Sequence, residues 1–218
     1  MEAAVGVVLV VAVAALGTYF SFRPGATPVD RWLLRPVPST HVGWFTAVTW
    51  LRYPLVTVVG AVVAAAVVFR RDRPRALACL IGPPLALLTS ELVAKPAVGR
   101  TLGGVYSYPS GSVVGAAALA TVAVLAAPVR WRPLTTIVAV VFALWMAVAV
   151  VTLHWHFPTD ALAGLAYGVG VVLVADGVAR MLAARWPGPK GWRSLRRRHK
   201  SHPGSDFNDP AQGPAPLS

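Results

Sequence analysis

The chain has a single cysteine, Cys79, and only eight acidic residues in 218. One cysteine closes no intramolecular disulfide and builds no multi-cysteine metal site. Charged residues make up 13% of the chain, well short of what a soluble globular domain carries. What fills the sequence instead is apolar: 56% hydrophobic residues and a mean hydropathy of +0.62. That composition belongs to a membrane protein. The 20 basic residues leave a formal charge of +12. They sit between apolar runs and in the C-terminal stretch, the distribution of a multispanning membrane protein, so no nucleic-acid partner is expected.

A bilayer is crossed by roughly 17–25 predominantly apolar residues in a helix. Such runs fall at about 4–22, 42–69, 76–94, 112–129, 134–153 and 160–183. They predict an all-α fold, a polytopic membrane protein built as a six-transmembrane-helix bundle. Residues 1–184 form the membrane domain. Residues 185–218 form a tail, first basic and then Pro- and Gly-rich, expected to be disordered and cytoplasmic. Arg52 and Pro54 in the second run, and Pro83-Pro84 in the third, predict tilting or kinking. Residues 1–22 read as a retained first span, because Glu2 stands where a signal peptide has positive charge. Trp32, Leu33 and Leu34 mark either a short segment lying in the interface or a polar loop with aromatic anchors. Gly111/Gly115 and Gly164/Gly168 are two G-x-x-x-G pairs, expected to let helices pack closely.

The positive-inside rule orients the bundle. Arg70, Arg71, Arg73 and Arg75 lie between runs two and three, Arg130 and Arg132 between runs four and five, and eight more basic residues between 180 and 200. Six spans with both termini in the cytoplasm put all three segments on one side. The other, exoplasmic side receives residues 23–41, 95–111 and 154–159, in a protein expected at the plasma membrane.

That outward side collects the chemistry. ELVAKPAVGR (91–100) brings Lys95 and Arg100. YSYPSGS (106–112) is a turn opening the fourth span, with Ser110, Gly111 and Ser112. LHWHFPTD (153–160) brings His154, His156 and Asp160. Helix N-termini and exposed backbone N–H groups bind phosphate, and Lys and Arg neutralise it. An imidazole with a carboxylate four residues on can be oriented and kept nucleophilic. Ionisable groups at membrane depth are costly, which makes them functional candidates. The plainer alternative is a loop histidine followed by a helix-start aspartate. Glu91, one turn before Lys95, is expected to pair with it.

Taken in order, Lys95 with its downstream arginine, Pro109-Ser110-Gly111, and His156-x-x-x-Asp160 resemble the three signature motifs of the type 2 phosphatidic acid phosphatase superfamily, six-span membrane lipid phosphatases. The likeness covers about residues 76–183. It implies that His156 is the nucleophile, forming a phosphohistidine, and that Asp160 orients it. It implies that Lys95, Ser110 and Gly111 bind phosphate, with no metal and no cofactor, and the neighbouring Arg100 and Ser112 are expected to join them. The departures are specific. The arginine and proline of the first motif fall on Leu102 and Gly103, so Arg100 becomes the substitute cation. The histidine of the second motif, which protonates the leaving group, falls on Ser112. The Ser-Arg of the third falls on Ala149-Val150. His154 and His41 are candidate substitute acids, and Arg52 a candidate substitute clamp.

Two function classes remain in view. One is an enzyme that hydrolyses a lipid phosphate or polyprenyl diphosphate at the outer leaflet through His156, a step of cell-envelope lipid metabolism. The other is a degenerate relative that binds or transports a lipid phosphate without cleaving it. Both imply a lipid partner and the membrane. The sequence carries no signal for oligomeric state.

Overall fold

The structure is a computed structural model and describes residues 2–35, 43 and 53–185. The chain divides into two compact units, Met1–Ala183 and Ala184–Ser218, and only the first two residues of the second are described. His41 and Arg52, both weighed above, lie outside the described residues, as does the start of the second apolar run.

The described residues are helical apart from short connections. In chain order the helices are α1 (Glu2–Phe22), α2 (Pro28–Leu34), α3 (Pro54–Phe69), α4 (Arg73–Val98), α5 (Gly111–Ala126), α6 (Arg132–Thr152) and α7 (Pro158–Arg185). A two-stranded hairpin, β1 (Thr101–Leu102) and β2 (Val105–Tyr106), links α4 to α5. Helices thus stand at all six places where apolar runs were expected. Four are long and apolar enough to cross a membrane: α1, α4, α7, and α6 with the turn that precedes it. The described part of α3 and all of α5 are 16 residues each. At 1.5 Å per residue that is about 24 Å, short of a hydrocarbon core of roughly 30 Å. The all-helical expectation is met, and four candidate spans stand among the described residues where six were expected.

Capping residues set several boundaries. Thr27 and Asp30 form a reciprocal capping box at the start of α2, with Pro28 in the first turn. Asp72 caps α4 by accepting the Arg75 N–H at 3.0 Å, again with a proline in the first turn. Helix α4 runs on through Pro83 and Pro84, and its recorded irregularity comes later, as a π-helical turn at Ser90–Ala94 just before Lys95-Pro96. Proline lacks the N–H that would continue the α ladder, and single π turns are frequent where a helix carries a functional group.

Helix α5 is the centre of the bundle. Val114, Ala118 and Val122 pack with Cys79 and Ala86 of α4, Ala64 of α3 and Val172 of α7. Val113 and Ala116 pack on the other side with Met146, Ala147 and Val150 of α6 and Ala161 of α7. Close approach of α5 and α7 depends on glycine. A β-carbon at Gly164 would come within 2.8 Å of the Ser110 carbonyl oxygen, and one at Gly168 within 2.5 Å of that of Val114. The Gly164/Gly168 pair acts as expected. Gly115 meets Thr57 of α3 and Leu87 of α4, and Gly111 meets the carboxylate of Glu91, also of α4. Outward faces are apolar: Val8, Leu55, Val63, Leu92, Ile137 and Leu162 are exposed. On a membrane protein that surface is the one lipid covers. At the Asp72 end, buried Asp176 of α7 binds Arg75 of α4 at 3.4 Å and Arg180 at 2.8 Å, and Arg180 also reaches Asp72 at 3.0 Å.

Candidate active site

Three chain segments meet at the opposite end. The last turns of α4 carry Glu91 and Lys95. Gly99, in the left-handed region at φ 67°, ends that helix. Gly103 and Gly104, both at positive φ, turn the hairpin so that Thr101 pairs with Tyr106 and Leu102 with Val105. Residues 107–110 then enter α5, with a cis Tyr108–Pro109 peptide and Ser110 at the N-cap. The third segment, 153–157, joins α6 to α7. Together they line a cavity of about 890 Å³ whose walls include Lys95, Tyr106, Gly111, Ser112, His154 and His156.

His156 is half-buried, and its Nδ1 lies 2.8 Å from the Ser107 carbonyl oxygen. A carbonyl only accepts, so Nδ1 carries the proton and the lone pair of the neutral ring is on Nε2. Ser107 is itself fixed, since its N–H and its hydroxyl both donate to the Arg100 carbonyl, at 2.9 and 3.3 Å. The imidazole is thus oriented by the backbone of 107, and that backbone hangs on residue 100.

Arg100 is fully buried and is not among the residues lining the cavity. Nη1 donates to Asp160 at 2.5 Å and to Thr159 Oγ1 at 2.8 Å. Nη2 donates to Asp30 at 2.7 Å and to the Gly25 carbonyl at 3.2 Å, and Nε to the Pro24 carbonyl at 3.3 Å. Five acceptors match the five N–H bonds of a guanidinium. The rings of Phe20 and Phe157 lie 3.9 and 4.4 Å from its central carbon. Arg100, expected to face a phosphate, stands here away from the cavity wall, enclosed and saturated by protein acceptors.

Asp160 is equally buried. One carboxylate oxygen holds Arg100 and the other accepts the Phe157 N–H at 3.1 Å, a reach back across the start of α7. Its main-chain carbonyl accepts the Ser110 N–H at 3.1 Å. The carboxylate expected to grip the imidazole thus grips Arg100 and caps a helix, and the atom holding His156 Nδ1 is the Ser107 carbonyl oxygen.

Asp30 completes this buried cluster. Besides Arg100 it accepts the Thr159 N–H at 3.0 Å and the Thr159 hydroxyl at 3.1 Å. Burial alone would raise its carboxyl, but the Thr159 and Thr27 N–H groups, the Arg100 guanidinium and the Thr159 hydroxyl outweigh it and hold the carboxyl below the usual carboxylate range. Burial pushes the Tyr108 phenol up, and its hydroxyl donates to the Val13 carbonyl of α1 at 2.7 Å.

The remaining candidates divide between cavity and core. Lys95 Nζ is held by both oxygens of Glu91, at 2.7 and 2.8 Å, the pairing its spacing predicted. That carboxylate lies against Gly111, where a β-carbon has no room. Ser110 is buried, and its hydroxyl has no hydrogen-bond partner among the described residues. His154 is exposed in the left-handed region at φ 56°, with Nδ1 donating to the Thr152 carbonyl at 2.9 Å. The structure therefore brings Lys95, Gly111, Ser112, His154 and His156 to one cavity and puts Arg100, Ser110 and Asp160 into the packing behind it. Asp30, Ser107 and Thr159 escaped the sequence reading. The Thr27-Pro28-x-Asp30 start signature was the available signal for a helix there.

A family model of the PAP2 superfamily matches residues 36–181, more than half of the chain and all three motif segments. No curated protein and no solved structure matches the chain.

Proposed function

Because the chain belongs to the PAP2 superfamily, the type 2 phosphatidic acid phosphatases, we propose that it is a membrane-embedded phosphatase that hydrolyses a lipid phosphate or polyprenyl diphosphate. The observation that carries this is His156, half-buried on the cavity wall with its proton fixed on Nδ1 by the Ser107 carbonyl. That tautomer leaves the lone pair on Nε2, the nitrogen that would act as nucleophile. A phosphate in the cavity is met by Lys95 and by the first turn of α5 at Gly111 and Ser112. Nε2 bonds to phosphorus as the bond to the lipid oxygen breaks. Water then cleaves the phosphohistidine and releases phosphate. The Arg-rich connections at 70–75 and 130–132 lie at the end away from the cavity, which supports cytoplasmic termini and a cavity open to the exoplasmic face of the plasma membrane.

The alternative is a relative that binds the lipid phosphate without cleaving it. Arg100 is consumed inside the fold and Lys95 is held by Glu91, which favours weak phosphate neutralisation. Phosphate release by the purified full chain from a panel of lipid phosphates and diphosphates separates the two. The enzyme reading expects turnover that His156→Ala abolishes. Unchanged release by His156→Ala removes the nucleophile, and binding without release establishes the alternative.

A further inference from the structure

Glu91 is the one carboxylate among the described residues that line the cavity, and its placement is specific. Both of its oxygens hold Lys95, and it lies against Gly111, the first residue of α5. The π-helical turn at Ser90–Ala94 carries it there. The N–H groups of the first turn of α5 have no partner within the helix, so this is where an entering anion is drawn. An internal anion already stands at that place and holds the cavity's lysine.

We propose that Glu91 is the acid that protonates the departing oxygen during lipid phosphate cleavage. The inference rests on the phosphatase reading and adds the residue that makes a poor leaving group departable. An entering phosphate must share Lys95 and the α5 terminus with the Glu91 carboxylate. Two anions sharing one cation favour the neutral form of one of them. The phosphate is the more basic of the two and enters as a monoanion carrying its own proton, which passes to the Glu91 carboxylate across the shared Lys95 site as the bond to the lipid oxygen begins to break. When His156 Nε2 bonds to phosphorus and the bond to the lipid oxygen breaks, the Glu91 O–H delivers its proton to that oxygen, and the lipid leaves as an alcohol. The carboxylate so formed takes a proton from the water that cleaves the phosphohistidine, and phosphate departs with the imidazole restored. Lys95, Tyr53, Tyr106, His154 and His156 are the other titratable groups on this cavity. His154 is the rival donor, but it is exposed on the loop with Nδ1 committed to the Thr152 carbonyl.

The test uses purified full-length protein in detergent micelles and two substrates with one chain, dodecyl phosphate and dodecyl diphosphate. The first must expel an alkoxide, whereas the second expels a phosphate that needs little protonation. Glu91→Gln is expected to lower kcat on dodecyl phosphate by ~10²–10³-fold and on dodecyl diphosphate by less than about tenfold. Glu91→Asp recovers part of the loss, and His154→Gln shows no selective loss on dodecyl phosphate. Equal losses on both substrates make Glu91 a support for Lys95 and overturn the proposal. So does a lower KM at unchanged kcat, which marks a carboxylate that only competes with phosphate, and so does a selective loss in His154→Gln. His156-dependent turnover with unaltered leaving-group sensitivity sinks the Glu91 role alone. Absence of turnover in the wild type sinks the phosphatase reading along with it.

Discussion

The guanidinium of Arg100 and the carboxylate of Asp160 lie 60 positions apart in sequence and form a 2.5 Å ion pair in which neither side chain reaches solvent. With Asp30 on the other edge, the pair ties α2, the end of α4 and the start of α7 into one polar core. A buried charge deprived of its partner is far costlier than the pair is worth. Arg100→Met leaves two buried carboxylates facing each other and is expected to cost about 3–5 kcal/mol, read by thermal or denaturant unfolding in detergent. Arg100→Lys recovers only part, because an ammonium has three donors for five acceptors. A variant with wild-type stability and only a raised KM would contradict this and return Arg100 to the substrate.

The same cluster sets an acid limit. Asp30 is held below the usual carboxylate range when folded. A carboxyl with a depressed folded value stabilises the fold above its unfolded value, near about 4, and that contribution disappears as pH falls through the folded value. Asp72 adds to the same limb. Burial opposes its charge, but the Arg75 N–H and the charges of Arg180 and Arg75 prevail and lower it. Asp30→Asn is therefore expected to be less stable than wild type at pH 7, with the gap closing below about pH 4. Melting temperatures of both proteins between pH 7 and 3 check the sign. A gap that widens on acidification refutes it.

The helices were legible because a long apolar run has few alternatives in a membrane. Lys95, Ser112 and His156 were legible because each stands where a span meets a turn, and three such ends converge. The place of the Asp160 carboxylate has a local reason. Four-residue spacing puts two side chains on one face only if a helix runs through both. Here Pro158 begins α7, so His156 precedes the helix and Asp160 sits in its first turn with its carboxylate folded back onto Phe157. The helix-start aspartate of the plainer reading is the geometry observed. Asp30 was legible only as the helix-start partner of Thr27, and its part in this cluster was not. Its partners are 70 and 129 positions away, and no local period encodes such a pairing. Arg100 belongs to the same cluster, and its distant buried acceptors are equally illegible in a sequence where a lone arginine near a cation motif reads as a ligand.

The proposed topology makes a labelling prediction. Cys79 is fully buried, so Cys79→Ala gives a cysteine-free chain with little surface change. Ser107 is a poor reporter, being buried, whereas Val105 in the hairpin is 70% exposed. Val105→Cys in that background is expected to react with a membrane-impermeant maleimide from the exoplasmic side, and Arg71→Cys only after permeabilisation. The reverse pattern inverts the bundle and places the cavity and its substrate at the inner leaflet.

Ser112 is the second residue of α5, half-buried on the cavity wall beside Gly111 and the Glu91 carboxylate. The superfamily motif carries a histidine at this position, and a serine hydroxyl is too weak an acid to protonate an alkoxide near neutral pH. Because Ser112 lines the cavity, an imidazole there is expected to enter the cavity and not the helix packing. Ser112→His is therefore expected to raise kcat on dodecyl phosphate by at least about tenfold and to change dodecyl diphosphate turnover little, since a general acid matters most where the leaving group is poor. In a Glu91→Gln background the same substitution should restore monoester cleavage, because the two groups approach the departing oxygen from adjacent positions. If the doubly substituted protein folds, as judged by its melting temperature, and monoester cleavage stays flat, proton delivery is not what limits the chemistry. The limit then lies in phosphate neutralisation, where Val150 replaces a guanidinium and Arg100 is committed to Asp30 and Asp160.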